Sequence, residues 1–440
     1  MNQSETPKSQ AGPPPVGAGR FRKLPIKHLR WYIAILLCLA SALNYLDRQT
    51  LSVLIGIIKD ELNLTNASYG AINAWFLVSY GVMYAVSGRI IDFIGTRRGF
   101  MLFVSGWSVA NILHMFAATV GQFSFFRFLL GVFEPGSFTG GVKAVGEWFP
   151  MRDRALAVGI FNAGTAIGSV IAAPVVSLLA VHWGWRSAFL VTGALGLVWL
   201  VPWMLFFRQP SSHPCLSDEE RRLILDGQGA EPAKLRPPPL MRLLQMRETW
   251  GCILVRALTD PISYFLLFWI PLYFQKQHAF DLKKMALFMW IPYAAAALGN
   301  LAGGIIPRFL IGRGWELDKA RKSTMIFMTA VLLACLFTVT RIDNPVLALS
   351  LVAGMMFCHG GWSNITLPAE VFPRNAVATV TGFGGALGSW MGALAMLGTG
   401  RVVEAHGFSP IFFGCGILYS VALLLVFVLI GKLGVVRIIE

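Results

Sequence analysis

Long apolar runs recur along this chain, separated by short polar and basic joints. They fall at 31–58, 69–92, 98–118, 122–147, 154–181, 186–207, 249–275, 284–311, 323–340, 345–368, 376–402 and 408–432. A helix of about 20 apolar residues spans a hydrocarbon layer roughly 30 Å thick, so each run is a candidate span. The runs are apolar on every face, which predicts helices and not the alternating strands of a barrel. The pattern therefore predicts an all-α polytopic membrane protein with twelve transmembrane helices in two pseudo-symmetric six-helix halves.

The joints divide the chain further. Residues 1–30 are polar, Pro/Gly-rich and then basic, which predicts a disordered N-terminal tail. Small residues at Ala40-Ser41-Ala42 admit a cleavage site, but the apolar run continues past them and carries charge, so the first span is read as uncleaved. Residues 31–207 form the first six-helix bundle, 208–247 a polar, Pro-containing linker, 248–432 the second bundle and 433–440 a C-terminal tail. In the linker, Ser217 and Glu220 have the spacing of a capping box at the start of a short helix. The stretch Gly88 to Arg98 after the second span is echoed by Gly303 to Arg313 after the eighth, without the acid. A parallel repeat of this kind places a site between the halves at mid-membrane. Glycines four apart (Gly164 and Gly168; Gly299 and Gly303; Gly384, Gly388 and Gly392) suit close helix packing, either static or on surfaces along which the halves rock.

Composition agrees. Of 440 residues, 55% are hydrophobic and 13% charged, with a mean hydropathy of +0.62. Soluble domains carry about 25% charged residues. The formal net charge is +15, and the basic residues gather in one set of joints: Arg97 and Arg98, Arg152 and Arg154, then Arg308, Arg313, Lys319, Arg321 and Lys322. The positive-inside bias places those joints and both termini in the cytoplasm, with Lys283-Lys284 the exception. The basic rim suits a lipid bilayer, and no basic soluble domain for nucleic acid is present. The six cysteines are scattered without metal or redox spacing and read as small hydrophobes. No nucleophile–base or metal pattern points to an enzyme, a cofactor or a metal.

Charges inside the runs carry the chemistry. Asp47 and Arg48 stand in the middle of the first span, and Arg127 and Glu134 in the fourth. Ionised groups at that depth face a bundle interior or a watery cavity. Asp47 and Arg48 point about 100° apart, so one can face a pocket while the other packs against a neighbour. Arg127 and Glu134 share a face two turns apart, about 10.5 Å. The plain alternative is a buried neutralised cluster, which is weak evidence for stability. Guanidinium groups match a carboxylate, and a carboxyl beside them takes a proton when the arginine turns to substrate. The expectation is proton-coupled transport of an organic anion, with Asp47 or Glu134 as proton carrier. Further candidates for substrate contact are Tyr45, Tyr80, Asn162, Thr165, Trp362, Ser363, Asn364 and Thr366, each alternatively a core or interhelical polar group. Asp260, before Pro261, either caps a broken helix or gates the pore.

The run Gly88-Arg89-Ile90-Ile91-Asp92-Phe93-Ile94-Gly95-Thr96-Arg97-Arg98 resembles the loop motif of the major facilitator superfamily, with Phe93 at a usually basic position. Its Gly88, Asp92, Gly95, Arg97 and Arg98 are the gating candidates that match. ALNYLDRQ, the fourth span and its EWFP ending resemble the anion:cation symporter branch. FNAGTAIG, LTDPISYFLLFWIPLYF, RGWELDKARK and SNITLPAEVFP resemble its hexuronate transporters, although Ala297 stands where those members carry an acid. The resemblance implies a bacterial inner-membrane symporter for sugar acids, working as a monomer. It implies substrate contact at Arg48, Tyr80, Arg127, Thr165 and Asn364, and proton handling at Asp47 and Glu134. Symport of another carboxylate (galactonate or glucarate) and a non-transporting sensor on the same fold are the alternatives.

Overall fold

The computed structural model describes residues 26–227, 238–363 and 367–434. The N-terminal bundle contains α1 (Leu29–Leu62), α2 (Asn66–Ile94), α3 (Thr96–Leu113), α4 (Val120–Phe133), α5 (Gly136–Trp148), α6 (Met151–Trp183) and α7 (Trp185–Phe206). Two short helices follow, α8 (Asp218–Asp226) and α9 (Leu240–Gln245). The C-terminal bundle contains α10 (Arg247–Phe268), α11 (Ile270–Gln277), α12 (Leu282–Phe288), α13 (Trp290–Gly312), α14 (Leu317–Val339), α15 (Pro345–Ser363), α16 (Leu367–Val371), α17 (Arg374–His406) and α18 (Ser409–Leu425). Eleven segments among the described residues are long and apolar enough to span a membrane. The twelfth span is α4 and α5 in series.

Three predicted spans are interrupted, each for a local reason. The fourth breaks at Glu134-Pro135, where proline has no N–H to continue the ladder. The seventh runs straight through Pro261 and breaks at Trp269 instead, before Pro271, so Asp260 does not cap a broken end there. The eighth divides at Met289 into α12 and α13.

The helices turn at two ends of the bundle. One, the turn end, carries the 63–65 and 117–119 joints and Gly184. The other, the linker end, carries Gly95, Pro150 and the 207–239 segment. At the turn end, Asn63 closes α1 in the left-handed region (φ 52°), and Thr65 caps α2 by accepting the Ser68 N–H. At the linker end, Ser217 accepts the Glu220 N–H as half of the expected capping box. Glu220 turns instead to α1, accepting the backbone N–H groups of Leu29 (3.1 Å) and Arg30 (3.2 Å). The linker helix thus supplies partners for the first helix's orphan donors. His213 is buried beside it, accepts the Cys215 N–H and lies 2.9 Å from the Phe206 carbonyl. Burial holds its imidazole below the ordinary value.

Most of the spaced glycines serve packing within a bundle. A Cβ built on Gly164 or Gly168 falls 2.1–2.2 Å from the Cys38 and Ala42 carbonyls of α1, and one on Gly299 or Gly303 falls 1.9–2.1 Å from Phe357 and Gly361 of α15. Most of them do not lie between the halves. Between the bundles, the tightest backbone approach is α2 against α17, where Gly70 meets the Met396 carbonyl and Gly400 meets the Asn66 carbonyl. The same turn end is sealed by Tyr69 Oη donating to the Phe268 carbonyl (2.6 Å), Gln275 donating to Val53 (2.8 Å), and the Lys276–Asp60 pair.

Candidate functional site

A cavity of about 370 Å³ lies between the two bundles, in the range of about 300–1,000 Å³ usual for small-molecule sites. The N-terminal bundle contributes Tyr45, Arg48, Tyr80, Tyr84, Phe138, Thr165 and Ser169. The C-terminal bundle contributes Arg256, Asp260, Ser263, Tyr264, Tyr293, Asn300, His359 and Ser389.

Arg48 is the anchor of the N-terminal wall. It is 3% exposed, and its guanidinium is gripped from behind by one oxygen of Glu134, Nε to Oε2 at 2.7 Å and Nη2 to Oε2 at 2.6 Å. The break at Pro135 ends α4 at the level where Glu134 reaches Arg48. Glu134 Oε1 is buried and has no hydrogen-bond partner among the described residues. Around the guanidinium, the rings of Tyr45 and Tyr80 lie 4.6 and 4.9 Å from Cζ. Such faces attract a cation while excluding water.

The other predicted charges divide. Arg127 does not line the cavity. It is buried behind it, donating from Nη2 to the Arg48 carbonyl (3.1 Å) and lying 5.7 Å from the Phe76 ring. Glu134 pairs with Arg48 across helices, although it shares a helix face with Arg127 by spacing. Asp47 is fully buried on the far side of α1, where Oδ1 accepts the Asn111 amide of α3 (2.7 Å). Asn111 also donates to Thr192 of α7. Adjacent residues on one helix have parted as a 100° turn requires, arginine to the cavity and aspartate to the bundle core.

Tyr45, Tyr80, Thr165 and Asp260 line the cavity. Asn162 is exposed and outside it, one turn toward the linker end of the stripe that carries Thr165, Ala166 and Ser169. Trp362 is buried edge-on against Tyr419, behind the wall. The Ser363 side chain, Asn364 and Thr366 lie outside the described residues. At the linker end, Asp92 pairs with Lys143 of α5 (2.6 Å), Thr96 donates to Glu147 (2.6 Å), and Arg97 donates to the Met204 carbonyl (2.5 Å). Gly95 holds the turn at φ 85°, Arg98 is exposed, and Gly88 packs near Thr139. Phe93 is 92% exposed.

The charged cavity residue that sequence reasoning missed is Arg256. It lines the C-terminal wall and pairs with Asp260 at 3.0 Å. A second charge four residues from Asp260, inside an apolar run, was the available signal. His359 is a further titratable residue on this wall. It reaches the cavity and shares hydrogen bonds with Ser263 (2.8 Å) and Tyr419.

The sequence profile of the Major Facilitator Superfamily matches residues 37–396. The chain belongs to the Major Facilitator Superfamily. Its relatives in the superfamily include the hexuronate transporter of Escherichia coli K12, 35% identical over 414 residues and covering 93% of each chain. The galacturonate transporter of Dickeya chrysanthemi is 35% identical over 284 residues, 64% of this chain and 82% of that one. The probable galactarate/D-glucarate transporter of E. coli K12 is 28% identical, covering 89% of this chain and 93% of that one. A crystal structure of a bacterial homolog of the human lysosomal transporter Spinster, inward-facing and occupied, superposes with a TM-score of 0.68 over 91% of this chain and 95% of that chain. At 18% identity that likeness shows the superfamily fold. Membership accounts for the twelve-span plan and for a cavity bounded by both bundles.

Proposed function

We propose that this protein is a secondary active transporter that imports an organic anion, a hexuronate or related sugar acid, together with protons. One observation carries the reading. A guanidinium lines the central cavity with its partner carboxylate behind it, away from the cavity. While Glu134 is ionised it occupies two of the Arg48 donors. A proton on Glu134, for which the unpartnered Oε1 has room, loosens that grip, and the planar fork turns to a substrate carboxylate. Proton and anion then favour each other's binding, which is coupling in the thermodynamic sense. Tyr45, Tyr80 and Thr165 face the sugar hydroxyls. Arg127 and Asp47 complete the charge-balanced cluster, Arg127 by fixing the backbone under Arg48 and Asp47 as the second carboxyl. The relatives named as hexuronate and galacturonate transporters support the substrate class.

Transport follows if the bundles 31–207 and 248–432 rock about this cavity, tethered by 208–247. The sealed turn end represents one extreme. Release of the Gly70–Met396 and Gly400–Asn66 approaches leads to the other, and the Asp92–Lys143 and Arg97 contacts hold the linker end of the N-terminal bundle for that motion. The basic joints put the linker end and both termini in the cytoplasm of a bacterial inner membrane. A cavity lined by both bundles of one chain supports action as a monomer. The test is uptake into proteoliposomes under an imposed pH gradient, screening glucuronate, galacturonate, galactonate and glucarate beside neutral sugars. Accumulation of acids driven by an inward proton gradient is expected. Equal uptake of the neutral sugars would defeat the anion reading.

A further inference from the structure

The C-terminal wall carries a charge pair that the proposed coupling does not use. Arg256 Nε donates to Asp260 Oδ2 at 3.0 Å, and Nη1 donates to the Thr381 carbonyl at 3.2 Å. The guanidinium lies 5.9 Å from the ring of Tyr84, which belongs to the opposite wall. A Cβ built on Gly388 would fall 2.2 Å from Asp260 Oδ2, so α17 admits this carboxylate only because its backbone is bare there. Two charges at membrane depth point to use more than to stability, because desolvation offsets their attraction. The pair is also open to the cavity. Its side chains are 35% and 19% exposed, against 4% and 0% for Arg48 and Glu134. With Arg256 and Asp260 both charged, the C-terminal pole of the cavity carries no net charge.

We propose that Asp260, by cancelling Arg256, restricts the cavity to substrates with a single carboxylate. The inference rests on the sugar-acid reading above. A sugar monoacid gives its carboxylate to Arg48 and turns its hydroxylated end to the opposite pole, where Arg256 donates and Asp260 accepts. A sugar diacid brings a second carboxylate against Asp260, and like charges brought together discriminate against that ligand. Without the Asp260 charge, Arg256 is free to take the second carboxylate with its fork.

The experiment is calorimetric binding of galacturonate, a monoacid, and galactarate, a diacid, to the purified full-length protein. Wild type is expected to favour the monoacid. Asp260→Asn is expected to move the affinity ratio toward the diacid by about tenfold, the change that ~1.4 kcal/mol produces. The double variant Arg256→Gln with Asp260→Asn rebuilds an uncharged pole and is expected to restore the wild-type preference. Arg256→Gln alone leaves a negative pole and is expected to weaken the diacid more than the monoacid, which keeps the test decisive if Asp260→Asn does not fold. An unchanged ratio in Asp260→Asn overturns the proposal, as does a double variant that keeps the diacid preference or an equal loss of both ligands in Arg256→Gln. Wild type that binds the diacid as well as the monoacid defeats this inference and leaves the sugar-acid reading standing. Wild type that binds neither defeats both.

Discussion

Arg48–Glu134 and Arg256–Asp260 are the same chemical pair in two settings, one in each wall of a single cavity. The first joins α1 to the end of α4 and is dry. The second joins two positions on α10 and is open to the cavity. Removing one partner of a dry pair strands a charge where nothing solvates it, a cost of about 3–5 kcal/mol. A hydrated pair is worth about 0–1 kcal/mol, because water replaces the lost partner. A proton on Glu134 therefore has consequences for the whole N-terminal wall, whereas Asp260 can shape the charge of its pole without holding the fold.

That contrast can be broken at several points. Arg48→Ala is expected to have the largest effect, loss of sugar-acid binding by calorimetry, with the thermal midpoint lowered as Glu134 loses its partner. Binding at wild-type strength would remove Arg48 from the site. Glu134→Gln is expected to retain counterflow exchange and lose proton-driven accumulation, and to destabilise by about 3–5 kcal/mol in denaturant unfolding. Undiminished accumulation would move the proton elsewhere. Asn111→Ala removes the amide that Asp47 accepts from and is expected to cost about 1–3 kcal/mol while binding persists. Lost binding with unchanged stability would bring Asp47 into the site. Arg256→Gln is expected to change the unfolding free energy by about 1 kcal/mol or less. A loss as large as that of Glu134→Gln would erase the difference between the pairs.

The smallest effect concerns pH. The His213 imidazole is held below its ordinary value of about 6.5 by burial, so the unfolded linker binds more protons than the docked one. Its contribution to docking is present above pH ~6.5 and is lost as pH falls below that value. The hydrogen-exchange protection factors across 208–227, taken relative to the intrinsic rate at each pH, are expected to fall in that direction in wild type and to lose this dependence in His213→Asn.

Hydropathy made the spans legible because lipid demands apolar side chains on every exposed face. The breaks were harder to read. Pro261 and Pro135 look alike in sequence, yet α10 continues through one and the chain stops at the other, because packing decides whether a lost hydrogen bond can be tolerated. Charges at depth were legible as a set, and so was the parting of Asp47 from Arg48. Their pairing was not. Glu134 shares a helix face with Arg127 by spacing, and only tertiary placement gives it to Arg48. Arg256 was legible only as the partner one turn before Asp260, because a lone arginine inside an apolar run gives no sign of which helix face meets the cavity. The spaced glycines mostly serve the static packing inside bundles and not a surface between halves, since close spacing reports close approach and does not say which helix approaches.

One fastening has a practical side. Glu220 caps the first helix, and the Gly227 carbonyl accepts the Met151 N–H at the start of α6, so the linker helix is clasped to the first bundle at two places. If the gene were cut in two for co-expression, the cut belongs after Gly227 and not after Phe207. Severed at the earlier position, the amino-terminal fragment would leave the clasp with the wrong half and begin its first membrane crossing with two amide hydrogens unanswered.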